Sequence, residues 1–214
     1  MSRFPIILSA PSGAGKTTIA RRLLAERTDL GYSVSATTRP PRPGEVDAKD
    51  YHFRSTAEFE AARERGEFAE SANVHGHLYG TLKAEVDRVL SSGQHVVMDI
   101  DVQGAKQFAA AFPQSVLIFI VPPSISSLVE RLKARATEDS RSLARRLSDA
   151  QDELQALDFY KYVVVNDDLD TAIKSVSSII DAESLKRTRG GEVIDRVQKL
   201  LADLEREIGK HTER

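Results

Sequence analysis

Residues 10–17, Ala10-Pro11-Ser12-Gly13-Ala14-Gly15-Lys16-Thr17, have the types and spacing of a phosphate cradle. The pattern is G-x-x-x-x-G-K-[ST], with Ala10 where the first glycine usually stands. Gly13 and Gly15 let the backbone turn so that successive N–H groups point inward at phosphate oxygens. The N-terminus of a following helix adds its positive dipole end. Lys16 can then reach the β- and γ-phosphates, and the Thr17 hydroxyl can ligate Mg²⁺. A second cluster, Val96-Val97-Met98-Asp99-Ile100-Asp101, ends an apolar run in carboxylates. At the carboxyl end of a parallel strand Asp99 faces the ligand crevice, where it can hold Mg²⁺ directly or through water. The competing readings are an ordinary glycine-rich turn for the loop and a helix N-cap for Asp99. The pairing of loop and acidic strand end argues for the phosphate site.

These residues need a strand before the loop and a helix after it. Phe4–Ser9 is a short apolar run with Pro5 near its start, where a missing N–H is tolerated. Ile19, Ala20, Leu23 and Leu24 fall on one helical face. His95–Asp99, Ser115–Val121 and Tyr162–Val165 read as further buried strands. Ser124–Ala136, Ser140–Leu157 and Leu169–Lys186 carry apolar residues at helical spacing. Such alternation predicts an α/β fold with a parallel sheet covered on both faces. Residues 34 to about 83 break it. Arg39-Pro40-Pro41-Arg42-Pro43-Gly44 cannot be helical and punctuates an insertion with short strands of its own. Ser55-Thr56-Ala57-Glu58 reads as a capping box opening a helix through Arg65. After a stop at Thr188-Arg189-Gly190-Gly191, Val193, Val197, Leu200, Leu201, Leu204 and Ile208 make one stripe on a final helix. That helix either packs on its own domain or forms a dimer contact.

Composition narrows the function classes. A chain of 214 residues fits one domain with insertions, and 41% hydrophobic content is that of a globular protein. Thirty basic against 32 acidic residues give a net charge of −2, with no basic surplus to advertise nucleic acid. With no cysteine, disulfides, cysteine-ligated metals and thiol catalysis are excluded. No apolar stretch approaches the roughly 18–20 residues of a membrane span. The first apolar run leads to a glycine turn and a lysine, not to a cleavage site, so a soluble cytoplasmic protein is expected. A guanine-reading switch would want Asn-Lys-x-Asp after a late strand, whereas Val165-Asn166-Asp167-Asp168 stands there.

The insertion decides more. Its S-V-S-x-T-T-R-x-P-R stretch (Ser33–Arg42), Asp50-Tyr51 and Tyr79-Gly80-Thr81, with D-I-D-x-Q-G from Asp99 and Val165–Asp168, closely resemble the guanylate kinases. The resemblance runs from about Phe4 to about Arg187. It implies a P-loop three-layer fold with a central parallel sheet: core 1–33, 84–123 and 157–214, a GMP-binding insertion 34–83 and a helical lid 124–156. The implied activity is Mg²⁺-dependent transfer of the ATP γ-phosphoryl group to GMP and dGMP, a step of purine nucleotide metabolism. Arg39, Arg42, Tyr51 and Tyr79 would bind the GMP phosphate; Ser35, Glu70 and Thr81 would read guanine, with Asp101 near the acceptor and Mg²⁺. Ser12, Gly13, Ala14, Gly15, Lys16, Thr17 and Thr18 would hold ATP, with Asn166 towards its adenine. Arg131, Arg135 and Arg146 of the lid would close over its phosphates. Lys16, Arg42 and the lid arginines would stabilise the charge in transfer. Ala134 and Ala136 depart from the glycines usual around the middle lid arginine, and Leu78 from a tyrosine common before Tyr79.

Elementary chemistry supports the same roles. Arginine's planar fork binds phosphate bidentately, and phenol hydroxyls add neutral donors. Guanine offers N1–H and N2–H₂, two donors that one carboxylate accepts together. Adenine would leave Glu70 unsatisfied, and such a site rejects the analogue by about 10⁴–10⁵. ATP near −4, GMP near −2 and one Mg²⁺ leave roughly −4 to neutralise, which explains the arginines. No general base is needed, because a monophosphate with second pKa near 6 is already largely ionised at neutral pH. By residue type alone, Glu70 could be a solvated face residue, Tyr51 and Tyr79 core aromatics, Arg42 a turn cap and the lid arginines surface ion pairs. His75-Gly76-His77 reads as a loop without a third metal ligand. The alternatives are a non-catalytic protein-binding module of the same resemblance and a kinase for another acceptor such as a phosphopentose.

Overall fold

The computed structural model describes residues 2–74, 76–134 and 140–212. Along the chain, β1 (Pro5–Ser9) leads through the glycine loop into α1 (Lys16–Glu26), followed by β2 (Leu30–Tyr32). The insertion holds β3 (Ala36–Thr37), β4 (His52–Phe53), α2 (Thr56–Glu64), β5 (Phe68–Val74) and β6 (His77–Leu82). Then come α3 (Lys83–Ser91), β7 (His95–Asp99), α4 (Val102–Ala111), β8 (Val116–Val121), α5 (Ile125–Ala134) and α6 (Ser140–Gln155). A 3₁₀ turn at Leu157–Phe159 precedes β9 (Tyr162–Val165), α7 (Leu169–Ser184) and α8 (Gly191–Thr212).

The main sheet is parallel, in the order β2-β7-β1-β8-β9. Its strands are apolar runs because both faces are covered, and the strand period sorts their residues. Ile6 and Leu8 with Ile118 and Ile120 face α1 and α7, meeting Ile19, Leu23, Val176 and Ile180. Ile7, Met98 and Phe119 face α3 and α4, meeting Val86, Val89 and Phe108. Coverage thins at both edges: Val163 and Val165 of β9 stand about half exposed, and Tyr32 of β2 is exposed too. The parallel order places the loop after β1 and the end of β7 side by side, which is where ligands bind in such sheets.

The insertion folds as a second sheet, β4-β3-β6-β5, around Ala36, Phe59, Ala62, Phe68 and Leu82. Its β5–β6 register shifts between Phe68 and Glu70, so that Glu70 stands opposite Thr81. A bulge of this kind re-aims a side chain. The capping box forms: Ser55 Oγ accepts from the Glu58 N–H, and the Glu58 carboxylate accepts from the Ser55 N–H.

Several expected bounds move. Ser124 lies outside α5, its hydroxyl accepting from the Ser127 N–H. The expected Ser140–Leu157 and Leu169–Lys186 helices end at Gln155 and Ser184. The edge strand β2 was not expected, because Leu30-Gly31-Tyr32 is too short to carry a pattern. Arg135, Ala136 and His75 lie outside the described residues. The final helix does not pack on its own domain: Leu200, Leu201 and Leu204 are each more than half exposed.

Candidate active site

Gly15 caps α1 in the left-handed region, φ 95°, and a Cβ there would meet Asn166 Nδ2 at 2.4 Å. Only glycine serves at that point. The Asn166 amide, just after β9, donates to the Ala14 carbonyl at 2.7 Å and braces the loop from behind. Thr17 Oγ1 donates to Asp99 Oδ2 at 2.7 Å, joining the start of α1 to the end of β7. The N-cap role weighed for Asp99 belongs to Asp101, which caps α4 by accepting from the Gly104 N–H at 2.7 Å.

Among the described residues, four cavities surround this junction. The first, ≈ 240 Å³, is enclosed by Ala10 to Gly13 with Gly15, Lys16, Thr17 and, from α6, Glu153. A second, ≈ 350 Å³, lies behind the loop between Gly13, Gly15, Thr18, Arg131 and Asn166. Arg131 is drawn onto this wall, Nη2 donating to the Asn166 carbonyl at 3.1 Å and Nη1 reaching the Ala14 carbonyl at 3.5 Å. Arg146 Nη2 donates to Ser12 Oγ at 3.1 Å.

The third cavity, ≈ 290 Å³, lies between the two sheets and gathers Ser35, Tyr51, Glu70, Tyr79, Thr81 and Asp101 against Lys16 and Asp99. Glu70 is 8% exposed and accepts from Thr81 Oγ1 at 2.7 Å, so it is no solvated face residue. Burial raises its carboxyl above the ordinary glutamate value, and nearby Asp101 adds to this. The Thr81 hydroxyl and Lys16 oppose the shift. Gly104 makes room: a Cβ there would come within 3.0 Å of Glu70 Oε2 and 2.4 Å of Ile100 Cγ2. Tyr51 and Tyr79 are half-buried at the cavity wall, their rings edge to face at 6.0 Å. Burial, then the neighbouring Tyr79, raises the Tyr51 phenol, so at neutral pH it is an O–H donor.

Two arginines of the insertion, Arg39 and Arg42, adjoin residues that line this cavity. Arg39 donates to the Tyr79 hydroxyl at 3.2 Å and pairs with Glu45 at 2.8 Å. Glu45 also accepts the Arg42 N–H at 2.6 Å. Arg42 lines the fourth cavity, ≈ 550 Å³, which it shares with Tyr51, Thr17 and Asp99. Sequence reasoning passed over Glu45 and Ser33. Ser33 and Ser35 both lie in the link between β2 and β3, and the buried Ser33 hydroxyl lines the third cavity with no hydrogen-bond partner among the described residues. No sequence pattern marked it, and none marked Glu153.

A hydroxyl and a carboxylate oxygen at hydrogen-bond distance beside a phosphate cradle are the hard oxygen donors Mg²⁺ takes. Among the described residues no three His, Asp or Glu side chains gather as a metal cage. Mg²⁺ bound through one or two protein oxygens plus substrate phosphates needs none.

A sequence model of guanylate kinase matches residues 2–183. The chain belongs to the guanylate kinase family. A relative named guanylate kinase from Novosphingobium aromaticivorans is 50% identical over 91% of this chain and 89% of its own. Another, from Paramagnetospirillum magneticum, is 46% identical over 91% of this chain and 92% of its own. The crystal structure of guanylate kinase from Anaplasma phagocytophilum superposes with a TM-score of 0.69 at 33% identity, covering 88% of this chain and 89% of that one. The match to the guanylate kinase model ends at residue 183, before α8 begins at Gly191.

Proposed function

We propose that this guanylate kinase transfers the ATP γ-phosphoryl group to GMP in line, by positioning and charge stabilisation rather than by a general base. The observation that carries the reading is the buried Glu70–Thr81 pair, which faces the phosphate loop's lysine across one cavity. Glu70 accepts guanine N1–H and N2–H₂, with Ser35 and Thr81 completing the reading of the base. Tyr51, Tyr79, Arg39 and Arg42 hold the GMP phosphate, the carboxylate of Glu45 fixing the two arginines relative to each other. The loop N–H groups and Lys16 hold the β- and γ-phosphates of ATP. Arg131 and Arg146 add charge from the lid, and the cavity between Gly15, Arg131 and Asn166 takes the adenine. Thr17 and Asp99 would hold Mg²⁺, which when bound spreads the charge of the phosphates.

The moving parts in this reading are the insertion 34–83 and the lid 124–156, on a core of 1–33, 84–123 and 157–214. Their closure excludes water, which would otherwise receive the phosphoryl group. A net charge of −2 and small nucleotide substrates support a cytoplasmic enzyme without nucleic-acid or membrane partners. No helix among the described residues is long and apolar enough to cross a membrane. The exposed stripe of α8 supports self-association through that helix. Glu70→Gln tests the guanine pocket. Exchanging a charged acceptor for an amide should lower kcat/KM for GMP about 10²-fold, at about 3 kcal/mol for a charge-assisted hydrogen bond, and leave ATP binding unchanged. Unchanged GMP selectivity would remove Glu70 as the reader.

A further inference from the structure

Two side chains of α6 converge on one residue of the phosphate loop. Arg146 Nη2 donates to Ser12 Oγ at 3.1 Å, and Glu153 Oε2 accepts from the Ser12 N–H at 3.2 Å. The pair is seven residues apart, two helical turns, so both project from one face of α6 and grip Ser12 through its side chain and its backbone.

A carboxylate is the least expected group here. Glu153 lines the small cavity of the loop with Lys16 and Thr17, where phosphates are to bind, and like charge opposes them. Burial raises its carboxyl above the ordinary glutamate value, with Asp101 and Asp149 adding to the shift. The Ser12 N–H and Lys16 hold it the other way. Glu153 is half-buried where Asp152 and Leu154 beside it are exposed, so it is the residue of this turn directed at the loop.

We infer that Glu153 is a positioning residue: its carboxylate fastens α6 to the Ser12 amide of the loop and thereby fixes where Arg146 delivers its charge. The inference rests on the kinase reading above for what that charge is for. Small displacements of a charge from a transferring group cost large factors in rate, so this fastening is a contribution to turnover and not only to packing. It also links lid and loop, since the helix carrying Arg146 cannot leave Ser12 without breaking the Glu153 contact.

Glu153→Ala, Glu153→Gln, Arg146→Ala and the double variant Glu153→Ala/Arg146→Ala test it in steady-state kinetics. The Ala variant should lose about tenfold in kcat/KM for ATP while KM for GMP stays within about twofold. Glu153→Gln, whose amide oxygen still accepts from the Ser12 N–H, should recover most of the loss. The double variant should be no worse than Arg146→Ala, because the two act as a unit. Additive losses, a Gln variant as poor as Ala, or an equal fall in GMP affinity would overturn the inference. A second readout needs no turnover: hydrogen exchange at the Ser12 amide, followed by NMR, should speed up about tenfold in Glu153→Ala and stay near wild type in Glu153→Gln. Unchanged exchange in Glu153→Ala contradicts the inference even if the wild-type protein proves inactive on GMP, an outcome that would remove the kinase reading instead.

Discussion

At the scale of the residue, the site works by making a few polar groups costly unless the right ligand meets them. Glu70 is the clearest case, since burial lifts its carboxyl and only Thr81 and the distant charge of Lys16 relieve it. A carboxyl whose folded value is raised takes up its proton at higher pH than a free glutamate. In the proposed reading, as pH falls through that range Glu70 stops accepting both guanine donors, and kcat/KM for GMP should fall with it. The GMP phosphate itself ionises near pH 6, so the wild-type acid limb should have a limiting slope of about two and that of Glu70→Gln about one. Equal slopes would mean that Glu70 does not titrate in the free enzyme. Lys16, Thr17 and Asp99 were legible in the sequence because loop chemistry fixes their spacing. Glu45, Ser33 and Glu153 were not. Ser33 lines a cavity that only the fold assembles, Glu45 meets Arg39 and Arg42 through a loop without a periodic pattern, and Glu153 reaches Ser12 from a charged helix on which it looks like every other glutamate.

At the scale of the element, what can be read from sequence is what carries a long pattern. The continuous apolar runs of β1, β7, β8 and β9 and the capping box of α2 announce themselves. The three-residue β2, with Gly31 at its centre, and the two-residue strands β3 and β4 do not, because partners rather than propensity hold them in place. For α8 the stripe was legible but its partner was not. Periodicity says which face is apolar and nothing about what covers it. Exposure of Leu200, Leu201 and Leu204 on a 22-residue helix predicts association of copies through that face. Leu200→Asp with Leu204→Asp should reduce the sedimenting mass to that of one chain and leave the rate per site within about twofold. A wild-type protein that already sediments as one chain at micromolar concentration contradicts this role for the stripe.

At the scale of the whole molecule, two sheets and a pair of helices bring cations from distant stretches of sequence to one crevice. The chain is slightly acidic overall, at −2. Even so, Lys16, Arg42, Arg131 and Arg146 line or border the cavities around the phosphate loop. Local concentration of charge, rather than net charge, governs binding of polyanions such as ATP and GMP. Lys16 lines both the loop cavity and the cavity of Glu70 and Thr81, so in the proposed reading donor and acceptor phosphates meet at its side chain. The measurement that tests this account most directly is ADP release from Mg-ATP in a coupled assay with GMP, AMP, UMP or no acceptor. Release with GMP alone, at least about 10³-fold above AMP and UMP, is the predicted result. Equal release without an acceptor would contradict it by showing an ATPase, and silence with every acceptor would show a binding module that does not transfer phosphate.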